Sequence, residues 1–380
     1  MHIGIDAHSV GTQLAGNETY AVNLIEALAE IDHANQYTLY VTQQSAVEQF
    51  NARWPNFRVT RTLPHTPLVR IPLTLSRELR RHPVDVLHVQ YTAPPLAPCP
   101  VIATIHDLSF EHLPETFKRR SWMQLRITVR YTARRAAHVI TISEYSKQDI
   151  ARTYGIDPER ISVTPLAAAS HVSRVVDEVA LQAARARYGI SRDYILSLGS
   201  IQPRKNLARM IGAYELLRKT HNESNFPQLV IAGKRGWLDQ ETMRASERSS
   251  SLHDIVFTGY VADDDLAALY SGALCFVYPS YFEGFGLPVV EAMRCGTPVI
   301  AGNLTSLPEV VGDAGRLVDP FDMRAIAQAM TELILNKDTR ERMRVRGFER
   351  AAAFTWKKTA TQTLQVYQQV GLVHPHPPCL

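Results

Sequence analysis

Short apolar runs alternate along this chain with stretches of helical periodicity, and that alternation restricts the fold more than any other feature. His2-Ile3-Gly4-Ile5-Asp6, Tyr37–Val41, Val84–Val89, Val101–Ile105 and Ala137–Ile142 read as buried strands. Tyr194–Gly199, Leu229–Gly233, Asp254–Thr258, Ala273–Tyr278 and Pro298–Ala301 repeat the pattern further on. Helical stretches separate many of them, such as Thr19–Ala29 with Tyr20, Leu24 and Leu28 on one face. Strands alternating with helices predict parallel, doubly wound sheets that bind ligands off the strands' carboxyl ends. From Pro165 to about Val179 the pattern lapses, which reads as a linker. The expected fold class is therefore α/β, with two Rossmann-like doubly wound domains, 1–165 and 166–353, facing a cleft.

Composition sets the outer bounds. The chain has 380 residues, 45% hydrophobic and 21% charged, enough for two globular domains. A net charge of +4 is too mild to argue for nucleic acid, and no nucleic-acid motif or P-loop is present. No apolar run reaches the length of a membrane span. Met1–Asp6 reads as an opening strand rather than a signal peptide. The four cysteines, Cys99, Cys275, Cys295 and Cys379, are scattered without a C-x-x-C. Free thiols and a cytoplasmic location are expected.

One stretch concentrates the chemistry. After the run ending at Tyr278, Pro279-Ser280 breaks the strand, and Glu283-Gly284-Phe285-Gly286-Leu287-Pro288 leads into a helix that stops near Gly296. Proline suits a first helical turn and glycine a helix end. Free N–H groups and the positive end of the helix dipole then make an anion site. Gly284 and Gly286 allow close approach to the main chain. Glu283 and Glu291, eight positions apart, are suited to sugar hydroxyls on either side of a diphosphate: Glu283 to a hexose, Glu291 to a ribose. The bland alternative is a surface loop with a solvated glutamate. Arg204 and Lys205 lie in the loop Gly199–Asn206 at another strand end, as candidates to neutralise a diphosphate or as a solvated pair. His106, Asp107, Ser143 and Glu144 also stand at strand ends. Gly16 and Asn17 sit at a turn that could face a phosphate or sugar or be only a tight turn.

Glu283-x7-Glu291 with the intervening glycine loop resembles the signature of the retaining family 4 glycosyltransferases, which have the GT-B fold. The match runs on through Ala292-Met293 and Gly296–Ala301, and takes in Leu198–Asn206, Ala232-Gly233 and Phe257–Val261. Thr104–Asp107 and Ile142–Glu144 match the other half more loosely. The resemblance implies an acceptor-binding first domain, joined by a returning helix within 354–380, and a donor-binding second domain. It implies that Glu283 holds donor-sugar hydroxyls and that Arg204 and Lys205 stabilise the leaving diphosphate. Backbone at Gly199, Gly284, Phe285, Gly286, Leu287 and Pro288, with Glu291, Tyr260 and Val261, would hold the donor. His106 would lie near the donor sugar, Gly16 near the diphosphate, and Asp107, Ser143 and Glu144 near acceptor or sugar. Ser200 departs from the arginine many relatives carry there. No metal or other cofactor is implied. The wording of Ile231–Trp237 and His106–Phe110 is most similar to bacterial mannosyltransferases, making GDP-mannose the first donor choice and a glycan or lipid-linked saccharide the acceptor. Rival readings are a UDP- or ADP-sugar enzyme with a soluble acceptor, and a non-catalytic nucleotide-sugar or glycan-binding protein.

Other stretches have plainer readings. Asp263-Asp264-Asp265 has a D-x-D spacing, but it precedes an apolar helical run, where acids serve the helix start. Lys118–Arg135 carries Arg126, Arg130 and Arg134 at helical spacing, beside an apolar stripe of Trp122, Leu125, Val129, Ala133 and Ala136. That pattern suits either a helix lying peripherally on the anionic inner face of a membrane or one packed on its sheet with a solvated basic side. His374–Pro378 reads as a frayed tail.

Overall fold

The computed structural model describes residues 1–12, 15–221, 223–236 and 238–373; Trp237, the His374–Pro378 tail and Cys379 lie outside the described residues. The chain forms two units. One comprises Met1–Pro114, Lys118–Leu166 and the chain from Thr355; the other comprises Glu115–Phe117 and Ala167–Phe354.

The first unit holds a seven-stranded parallel sheet. Its strands are β1 His2–Asp6, β2 Gln36–Val41, β3 Phe57–Arg61, β4 Val86–Gln90, β5 Val101–Thr104, β6 His138–Thr141 and β7 Ile161–Val163. Their order is β3-β2-β1-β4-β5-β6-β7, so the winding reverses between β1 and β4. The central strands are buried on both faces, β4 at every position, as parallel strands in such sheets are. At the carboxyl end of β1, Asp6 takes both Arg70 terminal nitrogens at 2.9 Å, and Arg70 is fully buried. Burial alone would raise Asp6, but His8 and Arg70 hold its carboxyl well below the usual carboxylate range. The last helix, Trp356–Val373, is part of this unit. It buries Val366, Tyr367 and Val370, packs on the Ala15–Ile31 helix, and places the Tyr367 hydroxyl 2.6 Å from His88 Nδ1.

The second unit holds a six-stranded parallel sheet. It contains β8 Tyr194–Leu198, β9 Gln228–Ala232, β10 Ile255–Gly259, β11 Cys275–Tyr278, β12 Val299–Gly302 and β13 Arg316–Val318. The order β10-β9-β8-β11-β12-β13 puts its reversal between β8 and β11. Ile195, Leu229, Ile231 and Val277 pack against Met210, Ile211 and Tyr214 of the Leu207–Thr220 helix and Ile326 and Met330 of Met323–Leu335. Sequence periodicity misses β3, β7 and β13. β3 is an edge strand carrying Arg58 and Arg61, and the other two are only three residues long. Cys99, Cys275 and Cys295 are free.

Candidate active site

The loops after β8 and β11 flank the reversal of the second sheet, the place where such sheets bind ligands. The loop after β8 contains a single 3-10 turn, Pro203–Lys205, closed by Asn206 at φ +58°. The Asn206 amide donates to the Pro279 and Pro320 carbonyls at 3.0 and 2.7 Å, which ties the two loops together. Tyr281 N–H donates to the Arg204 carbonyl at 2.8 Å. Arg204 and Lys205 are thereby fixed beside Glu283.

Glu283 is 6% exposed, and one of its oxygens, Oε1, takes Lys205 Nζ at 2.7 Å and Arg204 Nη1 at 2.8 Å. Burial would raise this carboxyl, yet Arg204 and Lys205 prevail and hold it at about 2. Summed over these three side chains alone, the formal charge is positive. Lys205 Nζ also bonds the Tyr278 hydroxyl and lies over that ring. The Glu283 backbone is clamped as well: its N–H donates to Thr305 Oγ1 at 3.1 Å, and Ser306 Oγ donates to its carbonyl at 2.9 Å.

Gly286 has φ +101° and caps the Leu287–Arg294 helix, with Pro288 in its first turn. A Cβ on Gly286 would lie 2.6 Å from Leu307 Cδ2, and a Cβ on Gly233 would lie 2.1 Å from the Gly199 carbonyl. Both positions therefore require glycine for space as well as for backbone angle. Gly199 itself has φ +144°. Phe285 is assigned by the sequence to donor binding, but its side chain is buried edge-on against Phe354 at 5.4 Å. Only its main chain is left for a ligand. Glu291 falls one turn into the helix and is 8% exposed, with Oε2 accepting from the Tyr270 hydroxyl at 2.9 Å. Burial raises it to about 7, against the opposing Tyr270 hydrogen bond. Tyr260 is 56% exposed under Lys234 Nζ, and Val261 is buried. Ser200 is half-buried.

In the first unit, His106 follows β5 and is 7% exposed between the edges of Tyr20 and Tyr91. Burial lowers it to about 4, so it is neutral at physiological pH, although Asp107 opposes the shift. Asp107 is half-buried and accepts from Ser109 N–H at 2.8 Å. Ser143 is fully buried and caps the Glu144–Tyr154 helix, its Oγ accepting from Ser146 N–H. Glu144 and Gly16 are exposed, and a Cβ on Gly16 would meet open space. Asp265 accepts from Arg187 Nη1 at 2.6 Å and from the Tyr188 hydroxyl at 2.8 Å, so this carboxylate is engaged in an ion pair.

Tyr270, Tyr278, Thr305, Ser306 and Gln90 are the polar partners that the sequence reading leaves out. Each lies far along the chain from the residue it holds. Only the polar ends of β4 and β11, Gln90 and Tyr278, hinted at them.

The family model for Glycosyl transferases group 1 matches residues 183–350, and that for Glycosyltransferase Family 4 matches residues 14–167. An O-antigen chain mannosyltransferase B of Escherichia coli is 36% identical over 271 residues, covering 70% of this chain and 70% of that one. A serotype-specific mannosyltransferase, WbdA, of Escherichia coli is 31% identical over 239 residues, 62% of this chain. The chain covers only 29% of WbdA's length. The solved structure of a sucrose-phosphate synthase from Thermosynechococcus elongatus superposes with a TM-score of 0.78 over 98% of this chain and 100% of that one. At 20% identity that likeness speaks for the fold alone.

Proposed function

The chain belongs to the group 1, family 4 glycosyltransferases, and from that premise we propose that it moves mannose, with retention, from GDP-mannose to a glycan or lipid-linked saccharide of the cell surface. The carrying observation is the buried Glu283 held ionised between Arg204 and Lys205 at the reversal of the second sheet. The names of the relatives support the mannosyl and glycan parts of the reading.

The chemistry follows from that arrangement. The net positive charge of the Arg204–Lys205–Glu283 cluster attracts the donor diphosphate. As the bond from the sugar's anomeric carbon to phosphate breaks, charge builds on the leaving oxygen, and fixed cations stabilise it without reorganising. The acceptor oxygen bonds to the anomeric carbon on the same face, and its proton passes to a released phosphate oxygen. Glu283 is given no nucleophile's role in this scheme: the two cations on Oε1 draw charge from the whole carboxylate. Its task in this scheme is to accept hydrogen bonds from sugar hydroxyls. Gly284 to Pro288 offer main chain to the sugar and diphosphate, and Glu291 faces the ribose. The scheme uses no metal.

The test combines binding and transfer. GDP and GDP-mannose are expected to raise the unfolding midpoint, because a ligand that binds only the folded state stabilises it. Glu283→Gln is expected to keep that shift and to lower kcat at least ~100-fold, the scale of one lost electrostatic contact in a transition state. A midpoint shift with UDP or ADP alone would overturn the donor assignment, and full activity of Glu283→Gln would overturn the mechanism.

The acceptor reading extends to the helix Arg119–Arg135 as a contact with anionic lipid. Among the described residues no helix is long and apolar enough to cross a membrane. The stripe that the sequence offers to lipid, Trp122 to Ala136, faces the unit's own interior: Val129, Ala133 and Ala136 are buried. A second apolar row, Met123, Ile127 and Tyr131, is 47%, 69% and 39% exposed. By helical spacing it shares its face with Arg126, Arg130 and Arg134. Arg126 pairs with Glu111 at 3.3 Å, and Arg134 donates to the Tyr154 carbonyl, so part of the basic row is also bound at home.

A further inference from the structure

The strand end of β4 carries a side chain that the proposed reaction has not yet used. Gln90 is 7% exposed and stands at the reversal of the first sheet, beside β1. Its amide nitrogen donates to Ser9 Oγ at 3.3 Å. Ser9 commits its own hydroxyl hydrogen to the Asn17 carbonyl at 3.2 Å, so its oxygen is left to accept. This fixes which end of the Gln90 amide faces which neighbour. The Gln90 oxygen, Oε1, then lies 3.0 Å from His106 Nε2. An amide oxygen only accepts, so Nε2 must carry the ring hydrogen and Nδ1 must carry the lone pair. No described residue hydrogen-bonds Nδ1. The ring cannot swing away, since Tyr20 and Tyr91 meet it edge-on with centroids at 4.8 and 5.5 Å. The His106 carbonyl is held too, accepting from Ser146 Oγ at 3.1 Å.

We infer that Gln90 is a positioning residue that locks His106 in its Nε2–H tautomer, so that Nδ1 is presented to a substrate hydroxyl as a hydrogen-bond acceptor. The inference deepens the glycosyltransferase reading and rests on it for the identity of the hydroxyl. The relay Asn17–Ser9–Gln90–His106 runs in one direction, each group donating to the one before it. Gly16 and Asn17, which the sequence reads as a turn, lie in the first turn of the Ala15–Ile31 helix, and that helical turn thus sets the proton on a ring at the end of β5. The other titratable groups around the ring are Tyr20, Tyr91, His88 of β4 and Asp107. Burial keeps both His88 and His106 neutral, which lets a tautomer rather than a charge carry the information.

The test uses the full chain labelled with nitrogen-15 histidine, with His106 assigned by its loss in His106→Asn. At neutral pH and without substrate, the wild type is expected to show a protonated Nε2 and a bare Nδ1. Gln90→Leu removes the acceptor; it is expected to shift the ring toward the Nδ1–H tautomer and to lower kcat/KM about tenfold, the worth of one hydrogen bond. Gln90→Glu restores an acceptor. It is expected to keep Nε2–H and to recover transfer as pH rises, because a carboxylate beside the ring favours imidazolium at lower pH. A bare Nε2 in the wild type overturns the inference. So does a folded Gln90→Leu with an unmoved tautomer, or one whose moved tautomer leaves transfer unchanged. Should Gln90→Leu fail to fold, the wild-type spectrum and the Gln90→Glu pH profile decide. The spectrum needs no substrate, so a wild type that transfers no sugar sinks the functional reading alone.

Discussion

Glu283 and Glu291 share a loop and a helix, yet their surroundings drive them in opposite directions. Glu283 has two cations on one oxygen and stays ionised far below neutral pH, whereas Glu291 has only a phenol and is raised by burial to about 7. The linkage for Glu291 has a definite sign. Its folded pKa exceeds the ordinary glutamate value of about 4.3, so the folded state holds the proton more tightly than the unfolded chain does. Its contribution is favourable at low pH and is lost as pH rises from about 4.3 through about 7. Above that window an ionised Glu291 costs on the order of 3 kcal/mol. Glu291→Gln is therefore expected to raise the unfolding midpoint at pH 8, to leave it nearly unchanged near pH 4, and to weaken donor binding. Equal midpoint shifts at both pH values would show that Glu291 is not strained by burial. A residue that binds ligand at the expense of stability is what a functional assignment leads one to expect.

At the scale of elements, the Arg119–Arg135 helix separates two apolar rows that a sequence pattern cannot rank. One row, ending in Val129, Ala133 and Ala136, is consumed by the unit's interior, while Met123, Ile127 and Tyr131 face out. If the outer row seats the helix on lipid, its apolar area and the arginines beside it act together. Met123→Ser with Ile127→Ser is expected to weaken cosedimentation with phosphatidylglycerol vesicles several-fold and to leave GDP binding intact. Retention on the vesicles at wild-type level would exclude this face. The glycine loop makes a complementary point. The sequence marks Gly284 to Pro288 as one ligand-facing stretch, but the fold turns Phe285 inward onto Phe354 and fits Gly286 against Leu307.

At the scale of the molecule, the last helix completes the first unit, although the second unit lies before it in the chain. Tyr367 is fully buried there and bonded to His88. Tyr367→Ala removes a large buried ring and leaves His88 Nδ1 without that partner, a change worth about 3–5 kcal/mol. Calorimetry is expected to show the unfolding transition of the first unit moving down, while the transition that responds to GDP stays in place. Movement of the GDP-responsive transition alone would contradict the assignment of this helix to the first unit.

The alternation of strands and helices was enough to determine two parallel α/β sheets, because a buried parallel strand needs a continuous apolar run and its crossover needs an amphipathic helix. The same reading put Arg204, Lys205, Glu283 and His106 in loops after strands and Glu291 one turn into a helix, which is where the structure has them, since polar residues after apolar runs stand out. It could not show β7 or β13, which are too short to establish a period. Nor could it show that Ser143 is a helix cap, that Tyr278 holds Lys205, or that Gln90 fixes His106. Those pairings join residues distant in the chain, and only the sheet order brings β4 beside β5 and β11 beside β8. Local pattern fixed which residues end a strand; the tertiary structure decided which strand ends meet, and with that the protonation of each group.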